Sequence, residues 1–232
     1  MKTFKKAFFP AVIVLSLIFV VVWQMLFSEK INYYVTSVSV LILSMLPFFF
    51  SFERRKTSSR EITLIASLVA LAVVSRAAFY LIPEVKPIAA VVIASAVCLG
   101  ADRGYIVGAL SMFVSNFIFS QGIWTPFQMV AMGLLGFFAG LLFSKKHSRI
   151  SLAAYGFFSV IIIYGLIVDI STILVSLGDK ITLSGIIGIY AAGFSFNLVF
   201  ALTSALFLFV FGEGFIAKIE RLITKYNILN KL

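Results

Sequence analysis

The sequence predicts an all-α integral membrane protein: six spanning helices preceded by two more. Three observations predict it. Of 232 residues, 62% are apolar and only 12% charged; mean hydropathy is +1.12; and the apolar residues gather into eight runs. An average soluble domain carries roughly a quarter charged residues, and a soluble core of this size cannot hide so much hydrocarbon. Composition excludes a soluble enzyme, a disordered chain and a nucleic-acid binder. The single cysteine, Cys98, leaves no disulfide framework and no thiolate zinc site.

Hydrocarbon about 30 Å thick takes roughly 20 helical residues to cross. Runs at 7–27 and 33–52 meet that length, separated by the polar Ser28, Glu29 and Lys30. The first follows Lys2, Lys5 and Lys6 like a signal peptide, yet no small-residue cleavage site precedes Ser28, so it reads as a retained span. After the charged loop at 53–56 come runs at 62–82, 87–100, 105–120, 126–143, 152–177 and 183–211. The runs at 87–100 and 105–120 are short, and a re-entrant pair is the competing reading for them.

Charge orients the spans. With the amino terminus inside, fifteen cations fall on the cytoplasmic side, from Lys2 through Arg54, Arg103, Lys145 and Lys146 to Lys231. Only Lys30, Lys86 and Lys180 fall outside, and Arg76 lies within a span. This positive-inside bias predicts a multi-pass cell-membrane protein with both termini cytoplasmic. The net charge of +10 is then a topology signal plus attraction to anionic inner-leaflet lipid. In the tail, Phe215, Ile219, Leu222, Tyr226 and Leu229 recur at helical steps, with Lys218, Arg221 and Lys225 off the stripe. That pattern suits an amphipathic helix on the cytoplasmic surface, or a last span that continues past the membrane. The divisions are thus a two-span extension at 1–59, a six-helix core at 60–212 and the tail at 213–232.

The means for catalysis are sparse. The one histidine, His147, lies in a basic loop, and Glu84, Asp102, Asp169 and Asp179 are dispersed. No GxxxxGK[ST] loop occurs, so the chain has no such route to nucleotide hydrolysis. No catalytic residue, metal site or cofactor is expected, and binding and transport remain. A charge at membrane depth costs roughly 2.5 to 3.5 kcal/mol, which singles out Arg76 and Asp169. Counted along their spans, both sit in the outer half at similar depth, where an ion pair would lower the cost of each. That pair either locks two helices or lines an outward-facing pocket. Asn116 and Asn197 add polar groups at the same level.

The stretch 120–129 is the most informative. Thr125 suits an N-cap, Pro126 the first helical position and Gln128 the third, forming a capping box. Trp124 suits the outer interface. Gln121 and Gln128 flank the indole, which fits stacking on and hydrogen bonding to a planar, polar molecule. With Tyr80, the candidate substrate-binding set is Arg76, Tyr80, Asn116, Gln121, Trp124, Thr125, Gln128, Asp169 and Asn197. Gly104 with Gly108 and Gly136 with Gly140 are small-xxx-small pairs that mark close helix approach. Ala66 and Ala70 form a smooth patch on the third span.

These residues resemble a family. Six spans after a basic loop, Ala66-Ser67-Leu68-Val69-Ala70 on the first of them, and Gln121-Gly122-Ile123-Trp124-Thr125-Pro126-Phe127-Gln128-Met129 together look like the S component, or substrate-binding subunit, of an energy-coupling factor (ECF) vitamin transporter. The resemblance covers residues 60–212, and the leading two spans are an extension outside it. The WTPFQM stretch, with Gly133 and Gly136 after it, resembles S components for large vitamins, the cobalamin group above all; riboflavin or another small vitamin is the alternative. The resemblance implies a bundle that captures vitamin beneath the outer loops at 83–87, 120–125 and 178–182, then topples in the membrane. It also implies a transmembrane T component docked on Ala66 and Ala70, and two ATPases as partners. A membrane scaffold whose Arg76 and Asp169 only fix helix packing is the reading from another class.

Overall fold

The computed structural model describes residues 58–178 and 181–229, together with Ser39 and Ile42. Apart from those two positions, the predicted spans at 7–27 and 33–52 lie outside the described residues, as do Asp179 and Lys180. The described residues form six helices: α1 Ser59–Ala77, α2 Ile88–Leu99, α3 Ala101–Phe119, α4 Trp124–Phe143, α5 Arg149–Leu177 and α6 Leu183–Lys225. The last two pass through π-helical turns, at Val160–Gly165 and Leu208–Gly212. Helices α4, α5 and α6 are long and apolar enough to cross a membrane.

The ends of the elements depart from the apolar runs for local reasons. Helix α1 begins before its run because Ser58 caps it, accepting the Glu61 amide at 3.2 Å. It stops at Ala77, and residues 78–87 form a connection in which Glu84 takes a left-handed φ of 58°. Asp102 and Arg103, expected in a loop, instead form the first turn of α3, because Gly100 at φ 88° reverses the chain in one residue. Arg103 Nε donates to Glu61 Oε1 at 2.5 Å, which joins α1 to α3 at this end. The two short runs therefore differ. Helix α2, with 12 residues, reaches only about 18 Å, whereas α3, with 19, reaches about 28 Å.

Helices α3 and α4 pack backbone to backbone, with the Ala96 and Val92 side chains of α2 against the same glycines. A methyl group built on Gly104 would stand 2.7 Å from the Gly136 carbonyl oxygen, and one on Gly108 would press on the Met132 carbonyl. Both glycine pairs read in the sequence thus meet in one interface. Helix α5 starts with a reciprocal cap between Ser148 and Ser151.

The tail corrects the expected stripe. Helix α6 runs on without a break into Glu213–Lys225. Its buried face there is Ile216 and Ile219, each 2% exposed, while Leu222 and Tyr226 are 44% and 47% exposed. The π turn at Leu208–Gly212 adds a residue to the helix and so rotates the face that follows.

Candidate functional site

The polar side chains of the spans collect at the end of the bundle that holds the connections 78–87 and 120–123. Arg76, in the last turn of α1, is 4% exposed. Its Nη1 donates to Ser115 Oγ at 2.5 Å and to Asn116 Oδ1 at 2.9 Å, and the guanidinium lies 4.1 Å over the Phe119 ring. Asn116 Nδ2 in turn donates to Thr125 Oγ1 at 3.0 Å and to Gln128 Oε1 at 2.8 Å. One network thus ties α1, α3 and α4 together.

The expected ion pair between Arg76 and Asp169 is not formed. Among the described residues Arg76 has no carboxylate partner; its bonds go to neutral groups of α3. Asp169 is half-buried and accepts from Asn197 Nδ2 at 3.3 Å, between α5 and α6. Counting along a span does not fix which way a residue faces around its helix axis. Gly165 and Gly193 let α5 and α6 close on this pair: a methyl on Gly193 would meet Asp169 Oδ2 at 2.8 Å, and one on Gly165 would meet Asn197 Nδ2 at 2.7 Å.

The start of α4 also differs from expectation. The helix begins at Trp124, so Thr125 and Pro126 are its second and third residues. Proline is accommodated because first-turn amides have no intrahelical partner. Thr125 still serves the turn, since its Oγ1 accepts the Gly122 amide at 3.1 Å. The Trp124 indole folds back over Gly122, where an added methyl would lie 2.5 Å from the ring. Gln121 turns away, donating to the Phe113 carbonyl at 2.9 Å, and Tyr80 is 60% exposed on the rim, its ring 5.2 Å from Phe119.

Beside this network lies a cavity of about 420 Å³ lined by Trp124, Gln128, Val168, Ser171, Thr172, Val175 and Ser176. Gln128 belongs to both cavity and network. Tyr164 stands edge-on to Phe200 at 5.1 Å, and Lys86, paired to Glu84 at 2.7 Å, lies 6.0 Å from the same Phe200 ring. Burial pushes the Lys86 ammonium below its usual pKa, against the opposing pull of Glu84. Tyr164 and the serine and threonine residues of α5 were not singled out in the sequence. The one signal for them was hydroxyl residues interrupting an otherwise aliphatic run.

A second cavity, about 320 Å³, is walled by hydrocarbon from α1, α2 and α6, including Leu71, Phe79, Val91, Phe207 and Phe211. It has too few polar groups to orient a vitamin. The Ala66 and Ala70 patch is exposed on α1.

A model of the S component of ECF-type riboflavin transporters matches residues 56–216. Comparison with curated proteins and with solved structures gives no match. The match names riboflavin where the sequence motif favoured cobalamin, and it begins after the amino-terminal extension. Spanning more than half of the chain, it shows that this membrane protein belongs to the family of ECF-type riboflavin transporter S components.

Proposed function

We propose that the chain captures riboflavin at the membrane and hands it to an ATP-driven importer, in complex with a T component and two ATPase subunits. The observation that carries the reading is the family match over residues 56–216. The cavity between α4 and α5 supports it. Its 420 Å³ lies in the lower part of the roughly 300 to 1,000 Å³ typical of small-molecule sites, and a three-ring flavin suits that space better than a corrin. Trp124 offers an aromatic face for the flavin, Gln128 an amide for its polar edge, and Ser171, Thr172 and Ser176 hydroxyl groups for the ribityl chain. Arg76, Asn116 and Thr125 position Gln128 through the hydrogen-bonded network. The positive-inside bias of the sequence supports an outward-facing cavity with both termini cytoplasmic. Energy comes from the partner ATPases, which dock through the T component onto the exposed Ala66 and Ala70 patch.

A thermal-shift screen of the purified chain tests the proposal. Riboflavin is expected to raise the melting temperature and cobalamin to leave it unchanged; stabilisation by cobalamin alone would restore the large-vitamin reading. Ala66→Trp is expected to abolish T-component docking and keep the riboflavin shift.

A further inference from the structure

Helix α6 has 43 residues, about 64 Å, twice the thickness of bilayer hydrocarbon. Its apolar stretch ends at the π turn Leu208–Gly212, and the thirteen residues Glu213–Lys225 that follow are amphipathic. One side is anchored to the bundle. Ile216 and Ile219 are buried, the Ile216 carbonyl lies 3.7 Å from Cys98 Sγ at the end of α2, and Glu213 pairs with Arg149 at 2.5 Å. Arg60 Nη1 donates to the Tyr226 carbonyl at 3.0 Å, which fixes the far end.

The other side is unpartnered among the described residues and carries two chemistries at once. Lys218, Arg221 and Lys225 are exposed at three- and four-residue spacing, so they share one face. Leu222, 44% exposed, falls among them, and Tyr226, 47% exposed, stands at the edge with its ring 5.1 Å from Lys225 Nζ. Positive-inside topology accounts for the cations but not for a leucine and a tyrosine exposed among them. Cations around shallow apolar side chains match a surface that is anionic outside and apolar a few ångströms below.

We infer that the Lys218, Arg221, Leu222 and Lys225 face is a binding site for anionic phospholipid headgroups, with Tyr226 at the headgroup boundary. Being anchored to α1, α2 and α5, it fixes the depth and tilt of the bundle in anionic membrane. This inference does not depend on which vitamin the chain carries.

The test uses the full chain in nanodiscs of phosphatidylglycerol mixed with phosphatidylcholine, followed by delipidation and native mass spectrometry. Wild type is expected to retain phosphatidylglycerol selectively. The triple variant Lys218→Gln, Arg221→Gln, Lys225→Gln is expected to lose about a hundredfold in that preference. Lys145→Gln with Lys146→Gln serves as a basic-loop control and is expected to change it less. An unchanged melting temperature and a monodisperse gel-filtration profile establish that the triple variant is folded, and Leu222→Gln gives a second, milder variant that should weaken retention with no charge removed. Equal retention of both lipids by wild type, or undiminished preference in the triple variant, overturns the inference. So does stabilisation by inorganic phosphate alone equal to that by phosphatidylglycerol. Lost T-component docking with lipid retention intact would assign the face to a protein partner and overturn it as well.

Discussion

Helices α2 to α4 and helices α5 to α6 are built from similar apolar sequence but packed in opposite ways. In α4, 72% of the apolar window is buried inside the bundle; in α5 and α6 the shares are 33% and 28%. The first group interlocks through glycine backbones at Gly104, Gly108, Gly136 and Gly140. The second packs along its own length through Gly156, Gly165 and Gly193 and the Tyr164–Phe200 contact, and each of its helices carries a π turn. In lipid no hydrophobic drive pushes helices together, so α2 to α4, covered by neighbours on most sides, form a central slab, and α5 with α6, covered mainly by each other, form a lipid-facing wall. The cavity lies on the seam between them, where Trp124 and Gln128 of the slab face the hydroxyl residues of α5. A ligand there could be oriented by the slab and enclosed by the wall.

The comparison breaks most severely at Gly108. Gly108→Leu would drive a side chain into the Met132 backbone, which cannot yield, and is expected to cost about 3 kcal/mol or to prevent folding, as read by thermal denaturation in detergent. Gly188→Ala, with open space around it on α6, should change stability by no more than about 1 kcal/mol. Comparable losses at both positions would show that the slab and the wall are not different.

Asn116→Ala comes next. It removes the acceptor of Arg76 and the donor to Thr125 and Gln128, so about 2 kcal/mol is expected, together with weaker riboflavin binding. Asn197→Ala in the wall loses one long bond in a half-buried site and should cost about 0.5 kcal/mol. A larger loss at Asn197 than at Asn116 would reverse the assignment. Smallest of all is the coupling between Arg76 and Asp169. A double-mutant cycle with Arg76→Met and Asp169→Asn should give less than about 0.5 kcal/mol, since the two share no bond. Coupling of several times that size would restore the ion pair.

The number of helices in the core and the order of their connections were legible in the sequence, because hydropathy and charge are read along one dimension. Azimuth was not. Arg76 and Asp169 belong to different clusters, and Gln121 turns toward Phe113 while Gln128, seven residues on, enters the network. The tail was legible in part: Ile219 is buried and Phe215 and Leu229 half-buried as the stripe implies, but Ile216 takes the buried side where Leu222 and Tyr226 were expected. Tyr164 escaped notice because a tyrosine in an aliphatic run looks like core until its neighbours are known.

The most direct measurement is a fluorescence titration of riboflavin with the purified chain, wild type against Gln128→Leu. The account predicts saturable, equimolar quenching of flavin emission by wild type, unaffected by excess cobalamin, and much weaker binding by Gln128→Leu, which stays folded with a melting temperature lowered only by the one bond lost to Asn116. No quenching by folded wild type, or equal affinity in the two proteins, would contradict it.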